Sequence, residues 1–186
     1  MKTVRISASE MEKRIARFDK LQPLPTQNAS IPEKARDVVY ARKLLSVIGL
    51  DASTPISAGA PIRGAAGMTM TLAVCPPGQG PGLHAHRETY ETFTVLKGEF
   101  EVRWNDDGNE SARLHLFDTI SFPPGVCRSF RNVGKEEGIL QVIITGGVHD
   151  MNDIVFSSKA KEDIEAVRAG LAAEFEKTGF SFDAGR

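Results

Sequence analysis

Cysteine is scarce in this sequence: Cys75 and Cys127 are the only two in 186 residues. Two cysteines exclude a disulfide framework and the paired C-x-x-C pattern of structural zinc, and they fit a reducing compartment. Both are expected to be small, buried, apolar residues. An excess of one charge is lacking too. Lys and Arg number 23 against 24 Asp and Glu, a formal net charge of −1. Nothing global therefore draws phosphate backbones or anionic lipid, and neither nucleic acid nor a membrane surface is an expected partner. No apolar run is long enough to span a bilayer, and the opening MKTVRISASEMEKRIARFDK carries charges every few residues where a secretory leader needs an unbroken apolar core. A cytoplasmic location is the expectation, under which the sequons at Asn28 and Asn109 go unmodified. Internal repeats and low-complexity stretches are absent.

With 41% hydrophobic residues, the chain has enough apolar material for one compact core and is short for two domains. Met11, Ile15 and Phe18 recur at roughly helical spacing within residues 8–20, after which LQPLPTQNASIP breaks regular structure with three prolines. Between Pro32 and Gly49 the pattern suits a helix, yet Leu44 to Ile48 equally suits a strand. From Gly67 the texture changes to short runs of Val, Ile, Thr and Phe between the turn clusters PPGQGPG, NDDGN, FPPG and NVGKEEG, which argues for a sandwich or barrel. Phe100, Val102 and Trp104 alternate with Glu101 and Arg103, as on a strand with one buried face, and the following NDDG suits a hairpin turn. Residues 158–177 place Ile164, Val167, Leu171 and Phe175 on one helical face behind Ser157 or Ser158 as N-cap. The expected organisation is an N-terminal helix and extended arm over residues 1–66, a barrel over 67–156, and a C-terminal helix and tail over 157–186.

The chemistry concentrates at His84, His86 and Glu91. Histidines two apart on a strand project from one face and can reach one ion. Glu91, five past His86, would lie on the opposite face of a continuous strand, so a turn near residues 87–89 is required to bring its carboxylate round. Two imidazoles and a carboxylate suit Fe, Mn, Ni or Zn and leave coordination positions open.

The spacing extends further. Gly78, His84, His86, Glu91 and Gly98, separated by five, one, four and six residues, match every defining position of the first cupin motif, and Asp118, Pro123, Pro124, Gly125, Arg128 and Asn132 resemble the second. The resemblance covers about residues 67–146. It implies an all-β fold, the cupin-type jelly-roll or conical β-barrel of antiparallel strands, here flanked by short N-terminal and C-terminal helices. It also implies a homodimer and a divalent metal held by three histidines and one glutamate. Carried over by position, the metal ligands are His84, His86 and Glu91.

Two positions depart from the family. The third metal histidine falls at Arg128, and the glycine that opens the second motif falls at Phe117. A guanidinium ~5 Å from a divalent ion opposes it by ~6–7 kcal/mol at an effective dielectric of ~20. Arg128 therefore has two readings: pairing with Glu91 in a metal-free pocket, or turning to the mouth as a catalytic group that clamps an anionic substrate beside the ion. His115 and His149 are the candidates for a replacement ligand.

The resemblance implies a metal-dependent enzyme on a small, anionic organic substrate, with dioxygenase-like chemistry ahead of decarboxylation and isomerisation. The alternative is a metal-free cupin that binds a small molecule while Arg128 neutralises Glu91. A structural barrel like the family's seed-storage members is the third reading. Among the aromatics, Phe93, Trp104 and Phe130 are expected in the core together with Tyr90.

Overall fold

Period-two alternation governs the middle of the chain, and the computed structural model, which describes residues 1, 5–24, 30–50, 59–64, 67–147 and 151–185, shows it as strands. Among the described residues two six-stranded sheets form. The first comprises β1 (Lys43–Gly49), β2 (Ile62–Arg63), β3 (Met68–Cys75), β5 (Tyr90–Lys97), β8 (Thr119–Phe122) and β10 (Gly138–Thr145), in the order β2-β1-β3-β10-β5-β8. The second comprises β4 (His84–His86), β6 (Phe100–Trp104), β7 (Glu110–Leu114), β9 (Arg128–Asn132), β11 (Ile154–Ser157) and β12 (Ser181–Ala184), in the order β12-β11-β4-β9-β6-β7. Neighbours pair antiparallel except β1 with β2 and β11 with β12. This is the all-β jelly roll expected from the sequence.

Inward residues of both sheets make the barrel core: Ala73, Phe93, Val95, Phe100, Val102, Phe130, Leu140 and Val142 are buried together. Phe130 meets Phe93 edge-on at a centroid distance of 5.0 Å, a favourable quadrupole arrangement. Trp104 packs at the edge of this core, whereas Tyr90 departs from the expectation and points outward, 48% exposed. A second core joins the terminal segments to the barrel, through Val39, Tyr40, Met151, Phe156, Ile164, Leu171, Phe175 and Phe180.

The ambiguous stretch 32–49 holds both structures, α2 (Glu33–Val39) and then β1. Gln79 secures the junction: its side chain donates to Tyr40 O at 2.8 Å and accepts from Arg42 N at 2.9 Å. In the expected helix 8–20, only α1 (Ala8–Glu12) and a 3-10 turn at Phe18–Lys20 form, and Met11, Ile15 and Phe18 stay exposed. Without a face to bury, so short a helix gains little beyond its capping box. The expected helix 158–177 is two, α3 (Ser158–Val167), capped by Ser157, and α4 (Leu171–Glu176). Gly170 at φ 85° breaks them, and Glu165 accepts from Gly170 N and Ala172 N. Phe117, where the family has glycine, holds φ 70° with its ring 73% exposed, so an L side chain occupies left-handed backbone there.

Candidate metal centre

The extended backbone of β4 sends the His84 and His86 side chains into one cavity. Bends at Arg87 and Glu88 then reverse the chain, and β5 presents Glu91 to the same cavity from the opposite sheet. His84 Nε2 lies 3.7 Å and His86 Nε2 3.9 Å from Glu91 Oε2, and all three residues are buried. The three ligand atoms lie within 4.8 Å of one another; tetrahedral ligands on bonds of about 2.1 Å sit roughly 3.4 Å apart, so each imidazole is within a few tenths of an ångström of its bound distance from the carboxylate.

Both imidazoles are held from behind. His84 Nδ1 is 2.8 Å from Gly82 O, a carbonyl that can only accept, so Nδ1 carries the hydrogen. His86 Nδ1 is 2.7 Å from Thr89 Oγ1 and 3.0 Å from Asp153 Oδ2. A neutral His84 in this tautomer turns its Nε2 lone pair toward the Glu91 carboxylate, and His86 does the same when its hydrogen lies on Nδ1. Burial holds the His86 imidazole below its ordinary pKa in spite of the Glu91 and Asp153 carboxylates, which favours the neutral form a ligand needs. Burial pushes the Glu91 carboxyl up, but the Arg128 charge, joined by His86 and His84, outweighs it and leaves Glu91 well below the usual carboxylate range. The donor set fits a borderline divalent ion.

Arg128 is the fourth member. β9 sets its Cα opposite His84, and its side chain is 0% exposed. Nε donates to Glu91 Oε2 at 2.8 Å, and Nη1 reaches His84 O at 3.4 Å and Val126 O at 3.3 Å. Nη2 also lies 2.8 Å from Glu91 Oε2, an ion-pair distance, but off the hydrogen-bond direction, so it finds no acceptor among the described residues. Arg128 stands behind Glu91 and does not line the cavity. His115 is a surface residue with Nδ1 3.7 Å from Glu99, away from the cluster; His149 lies outside the described residues.

The cavity has a volume of ≈ 90 Å³, well under the roughly 300–1,000 Å³ of a drug-sized pocket. His84, His86 and Glu91 give it a polar end, and its walls are largely apolar, with Leu24 and Tyr40 from the N-terminal segment, Met151 and Phe156 from β11 and the turn before it, and Phe180 from the C-terminal segment. Those wall residues, with Thr89 and Asp153 behind His86, are the parts that sequence reasoning missed. Asp153 is 67 positions from His86 and has no spacing that would disclose the contact. Asn132 has a structural role, donating to Cys75 O and Glu136 O and accepting from Gly134 N.

Residues 71–144 match the family model described as the cupin domain. No curated protein matches the chain as a relative. Among solved structures, Peruvianin-I, a cysteine peptidase from Thevetia peruviana latex, is similar at 17% identity and a TM-score of 0.50, over 73% of each chain. A protein from Bacillus halodurans is similar at 21% identity and 0.42, over 45% of this chain. The Cnp3 cupin domain of Schizosaccharomyces pombe is similar at 18% and 0.43, over 56%. The chain spans 65% of each of these last two, a little under two thirds. At such identities the likeness to Peruvianin-I shows the fold alone.

Proposed function

From the premise that residues 71–144 of this chain are a cupin domain, we propose that His84, His86 and Glu91 hold a divalent transition-metal ion, and that the protein is an enzyme acting on a small organic molecule in the adjoining cavity. One observation carries this: Gly82 O holds Nδ1 of His84, Thr89 and Asp153 hold Nδ1 of His86, and both Nε2 lone pairs face the Glu91 carboxylate. Two imidazole nitrogens and a carboxylate oxygen turned toward one point are a donor set that a divalent ion can bridge.

When bound, the ion supplies Lewis-acid and, for Fe or Mn, redox chemistry at its open positions. The protein does the rest. The apolar walls bury the body of the substrate and exclude water, and the small volume limits that body to a few carbon atoms. The imidazoles and Glu91 set where the oxygen-bearing end rests. Arg128, enclosed behind Glu91, is a positioning residue for the carboxylate instead of a clamp on an anionic substrate. Dioxygenase-like turnover is the first reaction class to screen, followed by decarboxylation and isomerisation.

The Arg128–Glu91 ion pair also favours a second reading, a metal-free barrel that binds its ligand without turnover. Titrating chelator-treated protein with Fe(II), Mn(II), Ni(II) and Zn(II), in wild type and Arg128→Met, separates the two. The enzyme reading expects one ion per chain in wild type. The binder reading expects none there and a site gained in Arg128→Met.

A cysteine-peptidase role has no support in the thiols. Burial pushes Cys75 up to about 12 and Cys127 up to about 11, the opposite of an activated nucleophile.

Two copies of the chain are the proposed assembly. The outer face of the first sheet carries the cross-strand rows Met70–Ile143–Thr92–Ser121 and Leu72–Gln141–Thr94–Thr119, without a charge in either. The hydroxyls of Thr92 with Ser121, and of Thr94 with Thr119, satisfy each other at 2.8 and 2.9 Å. Two adjacent uncharged rows whose hydroxyls are already paired form a stretch complementary to itself, as a two-fold interface requires.

A further inference from the structure

The His86 imidazole is held by a residue outside the matched cupin domain, and we propose that Asp153 is a positioning residue that fixes the His86 tautomer, with the proton on Nδ1 and the Nε2 lone pair toward Glu91. Asp153 closes the 3-10 turn Met151–Asp153 and is 7% exposed. The consequence for metal rests on the reading above; the tautomer itself does not.

The direction of every hydrogen follows from the geometry. Glu88 N can only donate, and it lies 2.7 Å from Asp153 Oδ1. Thr89 Oγ1 is 2.5 Å from Oδ2. An ionised carboxylate accepts and never donates, so the Thr89 hydroxyl hydrogen points at Asp153. That leaves an oxygen lone pair on Thr89 facing His86 Nδ1 at 2.7 Å, with Oδ2 itself 3.0 Å from the same nitrogen. Both neighbours of Nδ1 accept; Nδ1 carries the hydrogen and Nε2 is bare. The carboxylate thus orders a chain that runs from imidazole to hydroxyl to carboxylate.

Asp153→Asn reverses this chain with almost no change of shape. The Glu88 N–H demands the amide oxygen on its side, which puts the introduced amide nitrogen against Thr89. That nitrogen donates to Thr89 Oγ1, the hydroxyl turns to donate to His86 Nδ1, and the imidazole proton moves to Nε2. A hydrogen then stands where the lone pair has to be. Thr89→Val acts differently: Asp153 Oδ2 remains 3.0 Å from Nδ1 as a direct acceptor, and the wild-type tautomer is kept.

The test is long-range proton–nitrogen NMR of the histidine side chains in metal-free protein, with His86→Gln assigning the signal, together with Zn²⁺ titration. Expected are Nδ1–H in wild type and Thr89→Val, Nε2–H in Asp153→Asn, and Zn²⁺ affinity lower in Asp153→Asn by roughly 10–100-fold. Nε2–H in wild type, or Nδ1–H retained in Asp153→Asn, overturns the proposal. If Asp153→Asn does not fold, the wild-type and Thr89→Val spectra decide, and Nε2–H in either overturns it. Inversion of the tautomer with no Zn²⁺ bound by wild type sinks the metal reading and upholds this one. Zn²⁺ bound by wild type with Nδ1–H retained in Asp153→Asn does the reverse.

Discussion

Arg128 Nε donates a 2.8 Å hydrogen bond to Glu91 Oε2, the same oxygen that lies nearest both site imidazoles. The guanidinium thus occupies the place behind the carboxylate and neutralises it inside the barrel. A buried pair of this kind adds little net stability over an apolar pair, but breaking it leaves a charge unsupported.

Arg128→Met is therefore expected to destabilise the metal-free protein by roughly 3–5 kcal/mol in urea unfolding. Glu91→Gln combined with Arg128→Met removes both charges and loses less than Arg128→Met alone. A cost below about 1 kcal/mol for the single substitution would show that Glu91 is not charged and buried as described.

Phe117 holds a left-handed backbone that glycine adopts freely. Its exposed ring makes little to lose, so Phe117→Gly is expected to stabilise the monomeric fold by about 1 kcal/mol, raising Tm by roughly 2–4 °C. An unchanged or lower Tm would mean that the ring has a partner in the assembly.

Cys75 and Cys127 are both buried, with their thiols held protonated at neutral pH. Mass spectrometry after iodoacetamide treatment is expected to find neither labelled in the native protein and both labelled in urea. Rapid native labelling of either thiol contradicts the burial.

Ile143→Asp places a carboxylate within the two uncharged rows of the outer face, in register with Met70 and Thr92. Light scattering behind a sizing column is expected to show a wild-type dimer and a monomeric variant of the same secondary structure. A wild-type monomer would remove the proposed assembly.

Much of this was legible in the sequence because it is local. Period-two alternation disclosed β6, the H-x-H spacing put two imidazoles on one face, and the odd offset of Glu91 demanded the reversal found at Arg87–Glu88. The arginine at position 128 announced either a pair with Glu91 or a clamp on an anionic substrate at the mouth, and the pair is present. What stayed hidden depends on distant segments. Helical periodicity over 158–177 carries no sign that Glu165 will turn back to bind Gly170 N and Ala172 N. Spacing within a motif likewise says nothing about Asp153, Met151 or Phe156, which reach the site only because β11 pairs with β4.

The central claim is that His84, His86 and Glu91 bind metal with Arg128 in place. Inductively coupled plasma mass spectrometry on tag-free protein, purified without chelators, tests it directly. The account predicts close to one transition-metal ion per chain in wild type and a loss of that metal in folded His84→Ala. Metal-free wild type that gains an ion only in Arg128→His would contradict it, and would leave a salt-bridged binding pocket in its place.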